Sequence, residues 1–216
     1  TGHKLSITVS KIPSVKLQKR LQYLIHYPYG CVEQTVSSAF PQLYLQRFIR
    51  LNDEKKLEVE KNISKAISRL AWFQRSSGGF SYWPGQNSVD KWASSYAGQF
   101  LLLAKDAGYY VPIEMLNNWM AYQQHQSNLW QAKQRDYAFD QAYRLYTLAL
   151  AGQPNLSAMN RLREMKNMDS QTQLRLAAAY ALINEKSTAK KLLEDTGWQI
   201  PADETMWRYS YGSQTR

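Results

Sequence analysis

The sequence predicts an all-α fold built from helical hairpins, and three features carry that prediction. Apolar residues recur at helical spacing through the chain from Val15 onward. The breaks between these runs are short, which makes successive helices antiparallel neighbours. Two turns, "GGF" and "WPG", combine glycine with aromatic side chains. Hairpins at a spacing of roughly 35 to 50 residues form either an open solenoid or a closed ring. Aromatic-bearing turns pack across helix ends and need glycine where the backbone approaches closely, which favours closure.

Taken in order, the chain opens with "LSITV", Leu5 to Val9, whose alternation and β-branched residues read as one short strand. A lone strand leaves its backbone groups unsatisfied, so it is expected to join a sheet completed by residues outside this chain. Residues 1–14 are accordingly read as a β segment and linker, and 15–216 as the helical domain. From Val15 the period becomes helical, with Leu17, Leu21, Leu24 and Ile25 on one stripe and Lys16, Lys19 and Arg20 off it. "YPYG" stops that helix, because proline disfavours helical geometry in the residue before it and glycine permits an unusual turn. A second helix is expected from Val32 to Arg50, kinked or restarted at Pro41. A third, Glu54 to Gln74, carries Leu57, Ile63, Ile67, Leu70 and Ala71 on one side. After the aromatic turn Ser76 to Gly85 come helices at Val89–Ala107, Glu114–Ser127, Asp136–Ala151, Leu156–Asn167, Ser170–Ile183 and Ser187–Asp195, with "AGYYVP" and "GQPN" as turns.

With 216 residues and 44% hydrophobic content, the chain is long enough to bury a globular core. Lys and Arg total 27 against 17 Asp and Glu, a formal charge of +10. Such an excess attracts acidic partners at long range, but the basic residues sit in short clusters between apolar positions and read as solvated helix faces. Aromatic residues are not interleaved with a basic run, so no nucleic-acid partner is expected. The seven tryptophans and 15 tyrosines fall mostly at helical spacing and read as core. No run approaches the roughly 18 apolar residues of a membrane span, and no direct membrane insertion is expected. The first residue is not methionine and no basic n-region or apolar h-region follows, so the chain is expected to be a processed product or a piece of something larger. One cysteine forbids an internal disulfide, and the three histidines, His3, His26 and His125, are far apart, so neither a metal site nor a cofactor is expected.

The single cysteine has two readings. An isolated cysteine commonly serves as a small buried hydrophobe. Cys31, however, follows a Pro-Tyr-Gly turn and opens a helix, where free amides and the positive dipole end stabilise a thiolate. If the turn folds residues 31 and 34 together, that thiolate reaches the Gln34 carboxamide, and attack with loss of ammonia gives an internal thioester. Buried, such a bond survives; exposed, it hydrolyses or acylates a passing amine or hydroxyl.

The stretch "PYGCVEQ", Pro28 to Gln34, resembles the thioester signature of the α2-macroglobulin and complement component family, Pro-Tyr-Gly-Cys-x-Glu-Gln. "TVSSAFPQLYL", "GGFSYWPG" followed by "WASSYAGQFLLLAKDAGY", and "QAYRLYTLALAG" resemble helical repeats of its bacterial branch. The resemblance implies an α/α toroid similar to those of terpenoid cyclases, a thioester domain inserted through a β-sandwich CUB-type domain of a much longer protein. That assigns the strand at Leu5 to Val9 to the neighbouring β domain. The helical count falls short of six hairpins, so the ring is expected to be truncated at its C-terminal "YGSQTR". By the same resemblance Cys31 and Gln34 form the thioester, Glu33 fills the acidic position, and Pro28, Tyr29 and Gly30 form the turn. Val32 stands where vertebrate members have glycine.

The function the resemblance implies is a single-use covalent trap and not a turnover enzyme. Proteolysis of a bait region elsewhere exposes the thioester, which acylates a lysine of the attacking protease. Partners are attacking proteases and neighbouring domains of the same chain; the location is the periplasm or cell envelope, with lipid anchoring through the full-length protein. Some complement members use a distant histidine to redirect acyl transfer to hydroxyls. His125 lies in the corresponding region, though its surroundings match poorly; its other reading is an exposed polar residue near the end of the "WMAYQQHQ" helix. His26 reads as a cation near a helix end. With neither engaged, transfer to amines dominates. The competing readings are a non-covalent helical-repeat module with an inert motif, a toroid enzyme of the prenyltransferase or cyclase type, for which acidic clusters are lacking, and a cysteine protease or transglutaminase, for which no histidine stands in recognisable context.

Overall fold

A computed structural model describes residues 21–131 and 137–197. The expected strand at Leu5 to Val9, the boundary after residue 14, the start of the first helix and the C-terminal end lie outside the described residues. Among the described residues the only β pairing is an isolated antiparallel bridge between Gln74 and Phe80, so the all-α expectation holds. The chain divides into two compact units between Gln123 and Gln124.

In the first unit, residues 21 and 22 are helical and the chain then turns, with Leu24 N–H on Leu21 O and Ile25 N–H on Gln22 O, both at 3.1 Å. Leu24, Ile25 and His26 therefore lie beyond the helix, which ends earlier than the apolar stripe predicts. Helix α1 (Val32–Ala39) follows, burying Val32, Thr35, Val36 and Ala39. The expected continuous helix to Arg50 is broken at Pro41: Phe40–Tyr44 is a 3-10 turn and α2 (Leu45–Phe48) is one turn long. Proline lacks the amide that would bond to the preceding turn, and its ring crowds that turn's carbonyl, so the tighter helix replaces the α form there.

Helix α3 (Asp53–Phe73) starts on an Asn52 cap, whose side chain accepts from Lys55 N–H at 2.9 Å, and Asp53 and Glu54 add charge that suits the positive end of the dipole. Val59, Ile63, Ala66, Ile67, Leu70 and Phe73 recur at helical spacing and are buried. Helix α4 (Lys91–Asp106) starts on an Asp90 cap to Ala93 N–H at 2.7 Å. Helix α5 (Ile113–Leu129) begins in this unit and presses Trp119 onto α4 at Gly98, where an added Cβ would stand 2.0 Å from the indole. Trp119 Nε1 donates to Ser94 O at 2.8 Å, so the buried indole loses no hydrogen bond.

In the second unit, helices α6 (Ala138–Leu150), α7 (Leu156–Arg163), α8 (Ser170–Leu182) and α9 (Lys186–Asp195) enclose a cluster that includes Leu145, Met159, Leu162, Leu176, Tyr180 and Leu192. Asn155 caps α7 and Asp169 caps α8. Helix α7 ends at Arg163, short of the expected Asn167, because Met165 N–H turns back to Leu162 O and Asn167 takes a φ of +57° that no α-helix accommodates.

Candidate functional site

The motif turn and the first turn of α1 form one continuous piece of geometry. Pro28 is buried, while the rings of Tyr27 and Tyr29 are exposed and lie 5.1 Å apart. Gly30 adopts φ +85°, the left-handed region that glycine enters without steric cost. Space imposes the same choice: a Cβ at position 30 would stand 1.9 Å from Gln34 Oε1 and 2.8 Å from its Cδ. The carboxamide of Gln34 thus occupies the room that any other side chain at 30 would fill.

Cys31 is the N-cap of α1, with extended backbone, and its backbone N–H donates to Gln34 Oε1 at 3.1 Å. The Gln34 N–H faces the Cys31 side chain in return, completing a capping box. The sulfur half of this exchange is the weaker, since sulfur is a poor acceptor. The thiol is free and buried, at 3% exposure, whereas Glu33 and Gln34 are exposed. A nucleophile sheltered from solvent therefore sits beside a carboxamide open to it. The carboxamide oxygen already accepts from a helix-terminal amide, which would also stabilise the oxyanion of an addition at Gln34 Cδ.

Residues distant in sequence hold this corner. Arg69 on α3 donates through Nη2 to Gly30 O at 3.2 Å, with its guanidinium 5.5 Å from the Trp72 ring. Gln42, only 2% exposed, donates to His26 O at 3.0 Å and to Ser38 O at 2.8 Å, and accepts from Asn62 Nδ2 at 3.1 Å. The aromatic turn contributes Tyr82, whose carbonyl accepts the Val32 N–H at 3.0 Å and whose hydroxyl donates to Glu33 Oε2. The phenol is pushed well above its ordinary range, first by the bond to the Glu33 carboxylate, then by burial and by the neighbouring Cys31 sulfur. It stays protonated, and hence a donor.

Of the residues the sequence singles out, Pro28, Tyr29, Gly30, Cys31, Glu33 and Gln34 come together at this corner. His26 contributes its carbonyl, and its side chain is exposed. His125 is exposed on α5, within the second unit, and its imidazole makes no hydrogen bond among the described residues. Tyr82, Arg69 and Gln42 were not singled out by sequence reasoning. The aromatic turn that carries Tyr82 was visible, but nothing in it marks which ring faces the motif. Among the described residues no three Cys, His, Asp or Glu side chains gather to hold a metal ion.

The chain shares features with proteins already known. The A-macroglobulin TED domain matches residues 4–137. The alpha-2-macroglobulin of Rickettsia conorii is 29% identical over 217 residues, covering 95% of this chain and 11% of that protein. That of Escherichia coli K12 is 31% identical over 115 residues, covering 51% of this chain and 7% of that protein. Among solved structures, Salmonella alpha-2-macroglobulin reacted with methylamine superposes with a TM-score of 0.73 at 26% identity, covering 94% of this chain and 14% of that one. Native E. coli alpha-2-macroglobulin, from domain MG7 to the C-terminus, gives 0.68 at 26% identity, covering 90% and 33%. The chain spans about a tenth of the length of these curated relatives.

Proposed function

Because this chain belongs to the A-macroglobulin TED-domain family, we propose that it is the thioester domain of a bacterial α2-macroglobulin-like protease inhibitor and that Cys31 and Gln34 form its internal thioester. In this reading the Cys31 sulfur attacks Gln34 Cδ, the C–N bond breaks, and ammonia leaves. A lysine amine of an attacking protease later attacks the same carbon, forming an amide and releasing the Cys31 thiol. Each molecule acts once, so the domain is a covalent trap and not an enzyme. Its place is the periplasm or cell envelope, with a lipid anchor carried elsewhere in the full-length protein.

The observation that supports this reading best is the fold-back of the Gln34 carboxamide onto Cys31, into space left by Gly30. An inert buried cysteine needs no acyl partner and no vacant neighbour. Amines are the expected acceptors, since the residues around His125 match poorly those of the histidine that redirects transfer to hydroxyls, and His26 meets the corner through its carbonyl.

Intact mass of the full-length protein, with thiol titration before and after methylamine, tests the proposal. A mass one ammonia below the sequence, with uptake of one methylamine and release of one thiol together, is expected. Full sequence mass with a thiol free from the start and no methylamine uptake would leave the motif a structural cap and the domain a non-covalent module.

A further inference from the structure

We propose that Tyr82 takes part in the acyl transfer: its hydroxyl passes its hydrogen bond from the Glu33 carboxylate to the departing Cys31 thiolate as Glu33 accepts the proton of the attacking amine. This rests on the thioester reading above, and deepens it by naming the groups that carry the proton.

Tyr82 is fixed to the site at both ends. Its main-chain carbonyl holds the amide of Val32, the residue between Cys31 and Glu33, and its hydroxyl holds Glu33 itself. The turn behind it is held as firmly. Phe80 N–H donates to Ser94 Oγ at 2.8 Å, and the buried Ser81 hydroxyl bonds Phe73 O at 3.1 Å and Trp83 O at 2.8 Å. The ring therefore reaches Glu33 from a rigid base, on the first turn of the helix that Cys31 caps.

A phenol has one hydrogen to donate, and here the Glu33 carboxylate holds it. A thioester sulfur is a poor acceptor, so in the resting site the carboxylate holds the hydrogen. Amine attack at Gln34 Cδ changes the balance. The nitrogen gains a bond to carbon and must lose a proton, which the exposed Glu33 carboxylate is placed to accept. The Cδ–Sγ bond breaks, and its electron pair leaves on Cys31 Sγ. Protonated Glu33 is then the weaker acceptor and the thiolate the stronger, so the Tyr82 hydrogen turns to sulfur. Without the proton transfer to Glu33, a carboxylate and a thiolate would face each other at the end of the reaction. The proton on Glu33 finally passes to the thiolate or to solvent; overall one N–H is replaced by one S–H, and Tyr82 stays neutral throughout, as the upward push on its phenol favours.

The test compares methylamine-driven thiol release in the full-length protein, wild type against Tyr82→Phe, Glu33→Gln and both together. Tyr82→Phe keeps the ring and the main-chain bond to Val32, so the thioester still forms, but release slows about tenfold, the scale of one hydrogen bond to a charge. Glu33→Gln slows it about a hundredfold, the lower end of general acid–base assistance. Removing the Tyr82 hydroxyl costs less in the Glu33→Gln background, where no proton reaches the side chain at 33 to release the Tyr82 hydrogen to the thiolate. In a separate arm, 3-fluorotyrosine placed at position 82, nearly isosteric and a stronger donor, speeds release, which a purely structural tyrosine would not do. A thioester that opens at the wild-type rate in Tyr82→Phe, losses that multiply in the double variant, or no response to fluorination overturns the role of Tyr82 while leaving the trap intact. Full sequence mass and no methylamine uptake in the wild type overturns the trap itself, and the role of Tyr82 with it.

Discussion

In the second unit, α6 to α9 enclose aliphatic side chains and Tyr180, with Arg175 lying over the rings of Phe139, Tyr143 and Tyr146. The motif corner of the first unit is built otherwise: Gln42, Asn62, Ser81 and Ser94 are buried, each in a hydrogen bond to main chain or to another of them, and Gly30 gives way to the Gln34 carboxamide that needs its space. An aliphatic core responds in proportion to volume removed, and neighbouring side chains can partly refill the gap. A glycine-lined corner responds to volume added, and at the wrong atom it has no adjustment to make. The helices of the second unit thus store stability, whereas the corner stores position.

Gly30→Ala should break this comparison most completely. The new Cβ falls on the Gln34 carboxamide and the left-handed backbone resists it, so the thioester should not form, seen as full sequence mass and no methylamine uptake, while folding loses only about 1–3 kcal/mol. Leu176→Ala, in the aliphatic cluster, should do the reverse. Urea unfolding should show a loss of about 2–5 kcal/mol, while methylamine uptake per folded molecule stays at the wild-type level. Gln42→Leu lies between the two, since it leaves Asn62 and the His26 and Ser38 carbonyls without their partner. A cost of about 1–3 kcal/mol in urea is expected, with thiol release altered in rate and not abolished. The smallest effect belongs to Asp169→Ala, the α8 cap, at about 1 kcal/mol. Burial alone would raise the Asp169 carboxyl, but bonds from Thr172 and the amides of the first turn hold it below its ordinary value. A depressed carboxyl stabilises the fold fully above its unfolded value and loses that contribution as pH falls through the folded one. The gap between wild type and Asp169→Ala in thermal melts should therefore close in acid and stay constant near neutrality.

The same contrast explains what the sequence could reveal. Regular helices announce themselves by period and cap: the expected Glu54–Gln74 lies within a residue of α3 at each end, because Asn52 and the apolar stripe are local signals. Cys31 and Gln34 were legible for the same reason, being three positions apart at a helix start. The rest depends on contacts with no local mark. The 3-10 turn at Pro41 required knowing that the chain must swing Gln42 inward, between His26 O and Asn62. Tyr82 meets Glu33 across 49 positions, and Arg69 meets Gly30 across 39. One tyrosine among 15, in a turn without period, carries no sign of which partner it serves.

The bond from Val32 N–H to Tyr82 O also sets an order of events during synthesis. The cysteine-bearing segment leaves the ribosome first, and the turn that completes its first helical amide follows 49 to 50 positions later. At about 5–20 residues per second, that is an interval of some seconds. Throughout it the thiol belongs to an unfinished corner, so whatever chemistry the corner performs is timed by the arrival of a turn translated long after the nucleophile.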